Sequence, residues 1–563
     1  MAVAAAASVR PIWSADDRIL FGVVAAAGLF LVLFLIFPLA TLLLESFRDQ
    51  SGAFVGLANY LRYVETPALI DSLWNSVWTA VATTVVVIPA AFVFAYAMTR
   101  SAIPGKAVFR AIALTPILAP SLLPALALIY LFGNQGMLRG LLFGHSIYGP
   151  LGIVVAQVFY TFPHAFLILA TALSGADARL YEAAEALRAS RLRVLRTVTL
   201  PTARYGLVSA SFVVFTLVIT DFGIPKVIGG SFSVLATEVY KQVVGQQNFQ
   251  MGAVVGVVLL IPALIAFAAD QWAQRRQVAV VGARAVPYVA RRRPWRDRPL
   301  LLFCGLVSAL MLGVVGVAVW GSLVTFWPWN LALTLRNYGF ANFISEGWGT
   351  WWTSVRLSLW TAVIGAPLIF VFAYAMERGR KGGWLASLVR FLAVVPLAVP
   401  GLVLGIAYIF FFNAPANPLG FLYGTLAILV LNSIVHFYTV GHLASLTQLK
   451  SLDPEFEAVS ASLKVPIWRT FAAVILPMSL PVLLDVAIYL FVNAMTTVSA
   501  VVFLYAPGIM PASVAVVQMD EAGFASPAAA MATVILLTSA AVKGLHVALD
   551  DRLVARTQAW KRR

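Results

Sequence analysis

A chain of 563 residues that is 61% hydrophobic and only 11% charged is not an ordinary soluble protein, since soluble domains carry about 25% charged residues. A formal net charge of +16 would suggest nucleic acid in a soluble protein. Here most of it falls in short loops between apolar runs, the distribution that orients a membrane protein, and no nucleic-acid partner is expected. Cys304, the single cysteine, excludes a disulfide framework and a cysteine metal site.

In chain order, Arg10 and Arg18 accompany an apolar stretch near 19–45 that reads as an uncleaved first span rather than a signal peptide. Apolar runs follow near 72–98, 108–133, 148–174, 203–229 and 250–272. A second set lies near 299–327, 352–376, 385–412, 421–446, 479–505 and 525–549. Each is long enough to cross a hydrocarbon core of about 30 Å as a helix, and none shows the period-two alternation of a membrane barrel. The expected fold is an all-α polytopic membrane protein with about twelve spans.

Residues 274–298 interrupt the apolar pattern with Arg275, Arg276, Arg284, Arg291, Arg292, Arg293, Arg296 and Arg298. They read as a basic cytoplasmic linker between a first bundle, 1–273, and a second, 299–563. Arg100, Lys106, Arg110, Arg378, Arg380, Lys381 and the tail Lys561-Arg562-Arg563 fall on the linker's side. The opposite loops carry Glu45, Glu65, Asp71, Glu346, Asp520 and Glu521. Both termini are therefore expected in the cytoplasm.

The halves repeat each other. Val93-Phe94-Ala95-Tyr96-Ala97-Met98 recurs as Val371-Phe372-Ala373-Tyr374-Ala375-Met376, and Pro89 recurs as Pro367. Pro116 and Pro120 recur as Pro396 and Pro400, and Leu187 and Pro201 as Leu463 and Pro477. An ordered series of landmarks at a nearly constant offset indicates a tandem duplication. With an even number of spans each, the copies share one orientation, as two bundles with a pathway between them. The paired prolines predict kinked helices, arranged around a gate or, as the alternative, kinked simply for packing.

Polar groups inside spans are costly and tend to face the interior. Asp221, beside Thr220, is the foremost; its counterpart is Thr497, with Asn493 and Thr496 nearby. These five form the candidate pathway, the alternative being that Asp221 lies among headgroups and pairs with Lys226. His164 and His442 share an offset of 278 and suggest either a metal pair or helix packing; without further ligands no metal site is expected. No phosphate-cradling GxxxxGK[ST] motif and no catalytic constellation occurs, so the chain is not expected to be an enzyme.

Two polar stretches stand between spans: YEAAEALRASRLRVLRTVTLP (Tyr181 to Pro201) and FEAVSASLKVPIWRTFAAVILP (Phe456 to Pro477). Proline suits a helix's first turn, so Pro201 and Pro477 read as entries to membrane helices. Each stretch is either a short helix–turn–helix presented to a partner's groove or an interfacial helix without a partner.

Both stretches resemble the EAA loop of ABC importer permeases, whose pattern runs E-A-A, three residues, G, nine residues, I-x-L-P. Glu182, Ala183, Ala184 and Leu200-Pro201 match it in the first copy. The second keeps Leu476-Pro477, but Ala458, Val459 and Ser460 stand where E-A-A should be, and Glu457 falls one residue early. The glycine slot holds Arg188 and Lys464; a left-handed turn there costs a side-chain-bearing residue about 1–2 kcal/mol.

The resemblance covers nearly the whole chain and implies a fused, double-length permease of a binding-protein-dependent importer in the bacterial inner membrane. Loops 178–201 and 453–477 would be coupling loops, docking two copies of an ATPase subunit that bind ATP and magnesium, with no cofactor in this chain. A periplasmic solute-binding protein would deliver the solute, and ATP would drive alternating access. Double-length permeases of this family resemble those for ferric iron and for 2-aminoethylphosphonate. The segment Ile219 to Gly256 is more similar to the latter, making 2-aminoethylphosphonate the expected solute and ferric iron the alternative. An ion-coupled secondary transporter is the reading from another class.

Overall fold

The computed structural model describes residues 14–280, 286, 288–379, 383–453 and 455–557. Arg10, Arg284, Arg380, Lys381, Lys561, Arg562 and Arg563, used above for orientation, lie outside them. The first half runs α1 (Ala15–Glu45), α2 (Pro67–Arg100), α3 (Lys106–Leu118), α4 (Leu122–Phe132), α5 (Pro150–Ser174), α6 (Ala178–Ala186), α7 (Arg191–Thr220), α8 (Gly223–Ile228), α9 (Leu235–Tyr240) and α10 (Phe249–Val280). The second runs α11 (Pro294–Leu323), α12 (Gly349–Arg378), α13 (Trp384–Ala398), α14 (Gly401–Phe412), α15 (Leu426–Ser451), α16 (Glu455–Ser462), α17 (Ile467–Thr496), α18 (Ala512–Glu521) and α19 (Ala525–Thr557). Among the described residues the only sheet is a small antiparallel pair, β1 (Val324–Phe326) and β2 (Asn330–Leu333), between α11 and α12.

Among the described residues ten helices are long and apolar enough to span a membrane. The two remaining expected spans, 108–133 and 385–412, are broken: α3 meets α4 at 100° and α13 meets α14 at 113°. These bends are much sharper than the kinks read from the prolines. Ala119 and Val399 adopt extended backbone (ψ 147 and 115) just before Pro120 and Pro400, as a residue preceding proline prefers. Neither Pro120 nor Pro400 can donate to the preceding turn, so each helix stops and restarts in a new direction.

Within the first half α2 packs on α5, α5 on α7, and α7 on α10; in the second, α12 packs on α15 and α17, and α17 on α19. The leading helices cross over. α1 lies along α12, α13 and α14, where the Tyr408 hydroxyl donates to the Phe34 carbonyl at 2.6 Å. α11 lies along α2, α3 and α4 as well as α19. Each half thus clasps the other, and the spatial bundles do not divide cleanly at the linker.

Candidate functional site

The two stretches expected to be coupling loops fold alike. Asp177 caps α6 by accepting from the Arg179 N–H at 3.0 Å, one of the orphan donors every helix start presents. α6 and α16 end in the same closure: Ala189 N–H donates to Ala184 O at 3.0 Å, and Val465 N–H to Ser460 O at 2.9 Å. That six-residue closure needs a left-handed residue, and Arg188 (φ +51) and Lys464 (φ +57) supply it. The glycine-slot turn is present in both copies despite the side chains. Further on, a π-helical turn occupies Leu195–Thr199 and Phe471–Ile475, immediately before Leu200-Pro201 and Leu476-Pro477. Widening the helix by one residue accommodates the missing proline donor and the ring that would strike the preceding turn.

Surfaces differ where backbones agree. Glu182 and Ala183 are exposed and Ala184 is buried, whereas Ala458 and Val459 are exposed and Ser460 is half-buried. Arg188, Lys464, Pro201 and Pro477 are exposed; Leu200 and Leu476 are half-buried. Glu457, expected on the docking surface, instead turns inward to an ion pair with Arg378 at 2.9 Å. By the loop offset it occupies the place of Tyr181, whose ring lies 4.9 Å from the Arg100 guanidinium, and Arg100 is the counterpart of Arg378. Burial holds the Glu457 carboxyl above its ordinary value, with Arg378 opposing. Leu187 and Leu463, and Leu192 and Trp468, are exposed apolar pairs flanking the turns. Their signal was present in the sequence: large apolar residues at equal offsets beside a turn outside lipid.

Between the halves lies a cavity of about 380 Å³. It draws on both helix breaks, on α5 and α15, and on the ends of α7 and α17. Thr220, Asp221, Asn493, Thr496 and Thr497 all line it. Asp221 and Thr497 each terminate a span in extended backbone (ψ 131 and 136). Asp221 Oδ2 accepts from Gln157 Nε2 at 2.9 Å and from the Ile224 N–H at 3.0 Å. Lys226 does not pair with it; its ammonium reaches Glu521 on α18 at 2.5 Å and so ties the two halves together.

A Ser/Gly exchange fits breaks to span ends. A Cβ on Gly223 would stand 2.3 Å from Ser121 Oγ, and a Cβ on Gly401 2.7 Å from Ser499 Oγ. Ser121 corresponds to Gly401, and Gly223 to Ser499, so each half places one serine against one glycine at the same junction. Close approach excludes a second side chain at either contact.

The histidine pairing differs from the one read in the sequence. His164 shares the cavity lining with His436, while His442 is buried and stacks on Tyr438 at 5.4 Å between ring centroids. Among the described residues no three His, Cys, Asp or Glu side chains are grouped to hold a metal. Asp270 on α10 also lines the cavity, accepting from Ser209 Oγ at 2.5 Å and Gln274 Nε2 at 2.8 Å. It was missed in the sequence, although a carboxylate closing an apolar run was the available sign. No lysine or arginine is among the described residues lining this cavity.

Comparison with known proteins agrees with this architecture. A Haemophilus influenzae protein named as the ferric transport system permease FbpB 1 is 28% identical over 508 residues, 87% of this chain and 78% of its own length. The ferric transport system permease protein FbpB of Actinobacillus pleuropneumoniae is 27% identical over 548 residues, 93% and 77% of the two chains. A Salmonella typhi protein named as the 2-aminoethylphosphonate transport system permease PhnU is 24% identical over 260 residues, 44% of this chain and 88% of its own. The sequence profile of the binding-protein-dependent transport system inner membrane component matches twice, at 88–278 and 365–555. Two matches in tandem, each containing a broken helix and one of these loops, place the chain in that family as a double-length, multi-pass permease of an ABC importer in the inner membrane.

Proposed function

We propose that this permease carries ferric iron, delivered by a periplasmic binding protein, through the cavity between its halves into the cytoplasm. The observation that carries it is the chemistry of the lining: Asp221 and Asp270 carboxylates, Tyr160 and Tyr489 phenols, His164 and His436 imidazoles, and no lysine or arginine among the described lining residues. Oxygen donors and imidazole suit iron. The scattered placement of these groups suits passage rather than storage, since a tight cage would retain the ion. Two relatives that match along most of the chain are named for ferric transport. 2-Aminoethylphosphonate, favoured from the sequence, ranks second. Asp221 would meet its ammonium, but its phosphonate would find no cationic partner in the lining.

In this reading each coupling loop docks one of two ATPase subunits, through Glu182 and Ala183 with Leu187 and Leu192 in the first half. Leu463 and Trp468 carry more of the contact in the second, where Ala458 replaces the glutamate. ATP and magnesium belong to those subunits. The loops, the basic residues Arg100, Lys106 and Arg110, and both termini face the cytoplasm. The test is growth of a knockout strain under ferric limitation, with growth on 2-aminoethylphosphonate as sole phosphorus source in parallel. A defect under iron limitation alone is expected. A defect on the phosphonate alone would replace iron as the solute, and loss of neither would reject both.

A further inference from the structure

The linker leans on the first coupling loop. Ala178 N–H donates to Val286 O at 2.9 Å, Arg293 pairs with Glu185, and the Arg191 guanidinium lies over the Trp295 ring. The second loop is met instead by the start of α1, where Ile467 N–H donates to Asp16 Oδ1 at 3.2 Å. Between linker, first loop and the ends of α2 and α11 is a cavity of about 1170 Å³. Five arginines line it, Arg100, Arg191, Arg291, Arg293 and Arg296, against two carboxylates, Glu182 and Glu185.

The surplus charge is specific. Glu185 holds Arg293, and Asp297 holds Arg296 at 2.8 Å. The other three arginines have no carboxylate partner among the described residues. Arg100 is 2% exposed; it donates to the Leu173 carbonyl and sits 4.9 and 4.7 Å from the Tyr181 and Tyr288 ring centroids. Among the described residues the Arg191 guanidinium has only the Trp295 ring, and the Arg291 guanidinium has no protein partner. A buried guanidinium without a counter-charge is costly, and an anion in the cavity would offset that cost. The floor is apolar, with Phe92, Val93 and Leu300 at the ends of membrane helices. A basic rim over an apolar floor where spans leave the bilayer matches an anionic phospholipid, headgroup above and acyl chain below.

We propose that this cavity binds a phosphate-bearing anion, supplied by the headgroup of an anionic phospholipid, and that its occupancy fastens the linker to the first coupling loop. Residues from both sides, Tyr288 and Trp295 on the linker and Tyr181 and Arg191 on the loop, share the site, so the ligand bridges them. The second loop is reached by α1 rather than by the linker, so regulation through this site acts on one docking surface.

The experiment is native mass spectrometry of the purified full-length chain in phosphatidylglycerol–phosphatidylcholine mixtures, comparing wild type with Arg191→Gln/Arg291→Gln. Arg62→Gln/Arg336→Gln, two exposed arginines on short helical segments between spans and away from the cavity, serves as control. Selective phosphatidylglycerol retention is expected to weaken about tenfold in the first variant and to persist in the control. In a parallel arm, delipidated chain is heated with inorganic phosphate. Protection of wild type but not of the variant, without phosphatidylglycerol selectivity, would assign the same site to a soluble phosphate. If neither anion distinguishes wild type from variant while both chains elute as single species, the proposal is overturned. Arg291→Gln alone, which removes no protein contact among the described residues, covers the case in which the double variant fails to fold.

Discussion

In the first half Arg100 lies over the ring of Tyr181 and the adjacent Glu182 faces outward; in the second, Arg378 grips Glu457 and the outward position holds Ala458. The first loop is overlain by the linker, the second touched by the start of α1. Yet the left-handed residue, the closure hydrogen bond, the π turn and the span-ending extended residue coincide between the copies. Backbone geometry here is held by prolines, caps and close packing, and tolerates large side-chain divergence. Surface chemistry is free to drift, so a duplicated fold carries two unequal loop surfaces and, at Asp221 and Thr497, two unequal walls of one cavity.

That comparison breaks most readily at the outward position. Glu182→Arg is expected to lower transport-coupled ATP hydrolysis about tenfold or more, equivalent to about 1.4 kcal/mol of docking free energy. Ala458→Arg is expected to cost clearly less, and equal losses in reconstituted complexes would mean that the loops dock equivalently. A smaller effect concerns the Ser/Gly junctions. Gly223→Ala should lower stability by about 1–3 kcal/mol through overpacking, and Ser121→Gly should restore the thermal midpoint. Gly401→Ala should be rescued only in part by Ser499→Gly, because the Ala500 backbone nitrogen also stands 3.0 Å from the added Cβ. Full rescue at both junctions would show that backbone contact is not limiting.

Smaller still, Arg188→Gly and Lys464→Gly should each stabilise the chain by up to about 1 kcal/mol, the left-handed strain relieved less the entropy cost of glycine. Opposite signs in the two loops would contradict the shared geometry. The smallest effect is a pH slope. Because Glu457 is held above its ordinary value of 4.5, its folded form binds the proton more readily than its unfolded form. Stability from this group is therefore greatest at low pH and is lost as pH rises from the ordinary value through the raised one. Glu457→Gln should flatten that slope in thermal melts, whereas Tyr181→Phe in the first half should leave it unchanged.

Much of this was legible in the sequence because the signals were local or repeated. Hydropathy located the spans, a constant offset exposed the duplication, and the E-A-A and Leu-Pro landmarks located the loops. What escaped depended on rotation about a helix or on distant packing. One residue turns a helix by about 100°, so the single-step displacement of Glu457 exchanges an outward side chain for an inward one. His436 and His442 lie six residues apart and face differently for the same reason; only packing of α15 decides that the former meets the cavity. The crossing of α1 and α11 leaves no mark in hydropathy, since both would be equally apolar on either bundle. The proline pairs indicated a disruption, but the angle depends on what α4 and α14 pack against.

The most direct test is ATP-dependent uptake of ferric iron into proteoliposomes holding the permease with its ATPase and binding protein, for wild type and Asp221→Asn. Initial uptake is expected to be several-fold slower in the variant while ATPase subunits remain bound, because loops 178–201 and 453–477 are untouched. Uptake kinetics identical to wild type would contradict it, leaving the cavity between the halves without a role in carrying the solute.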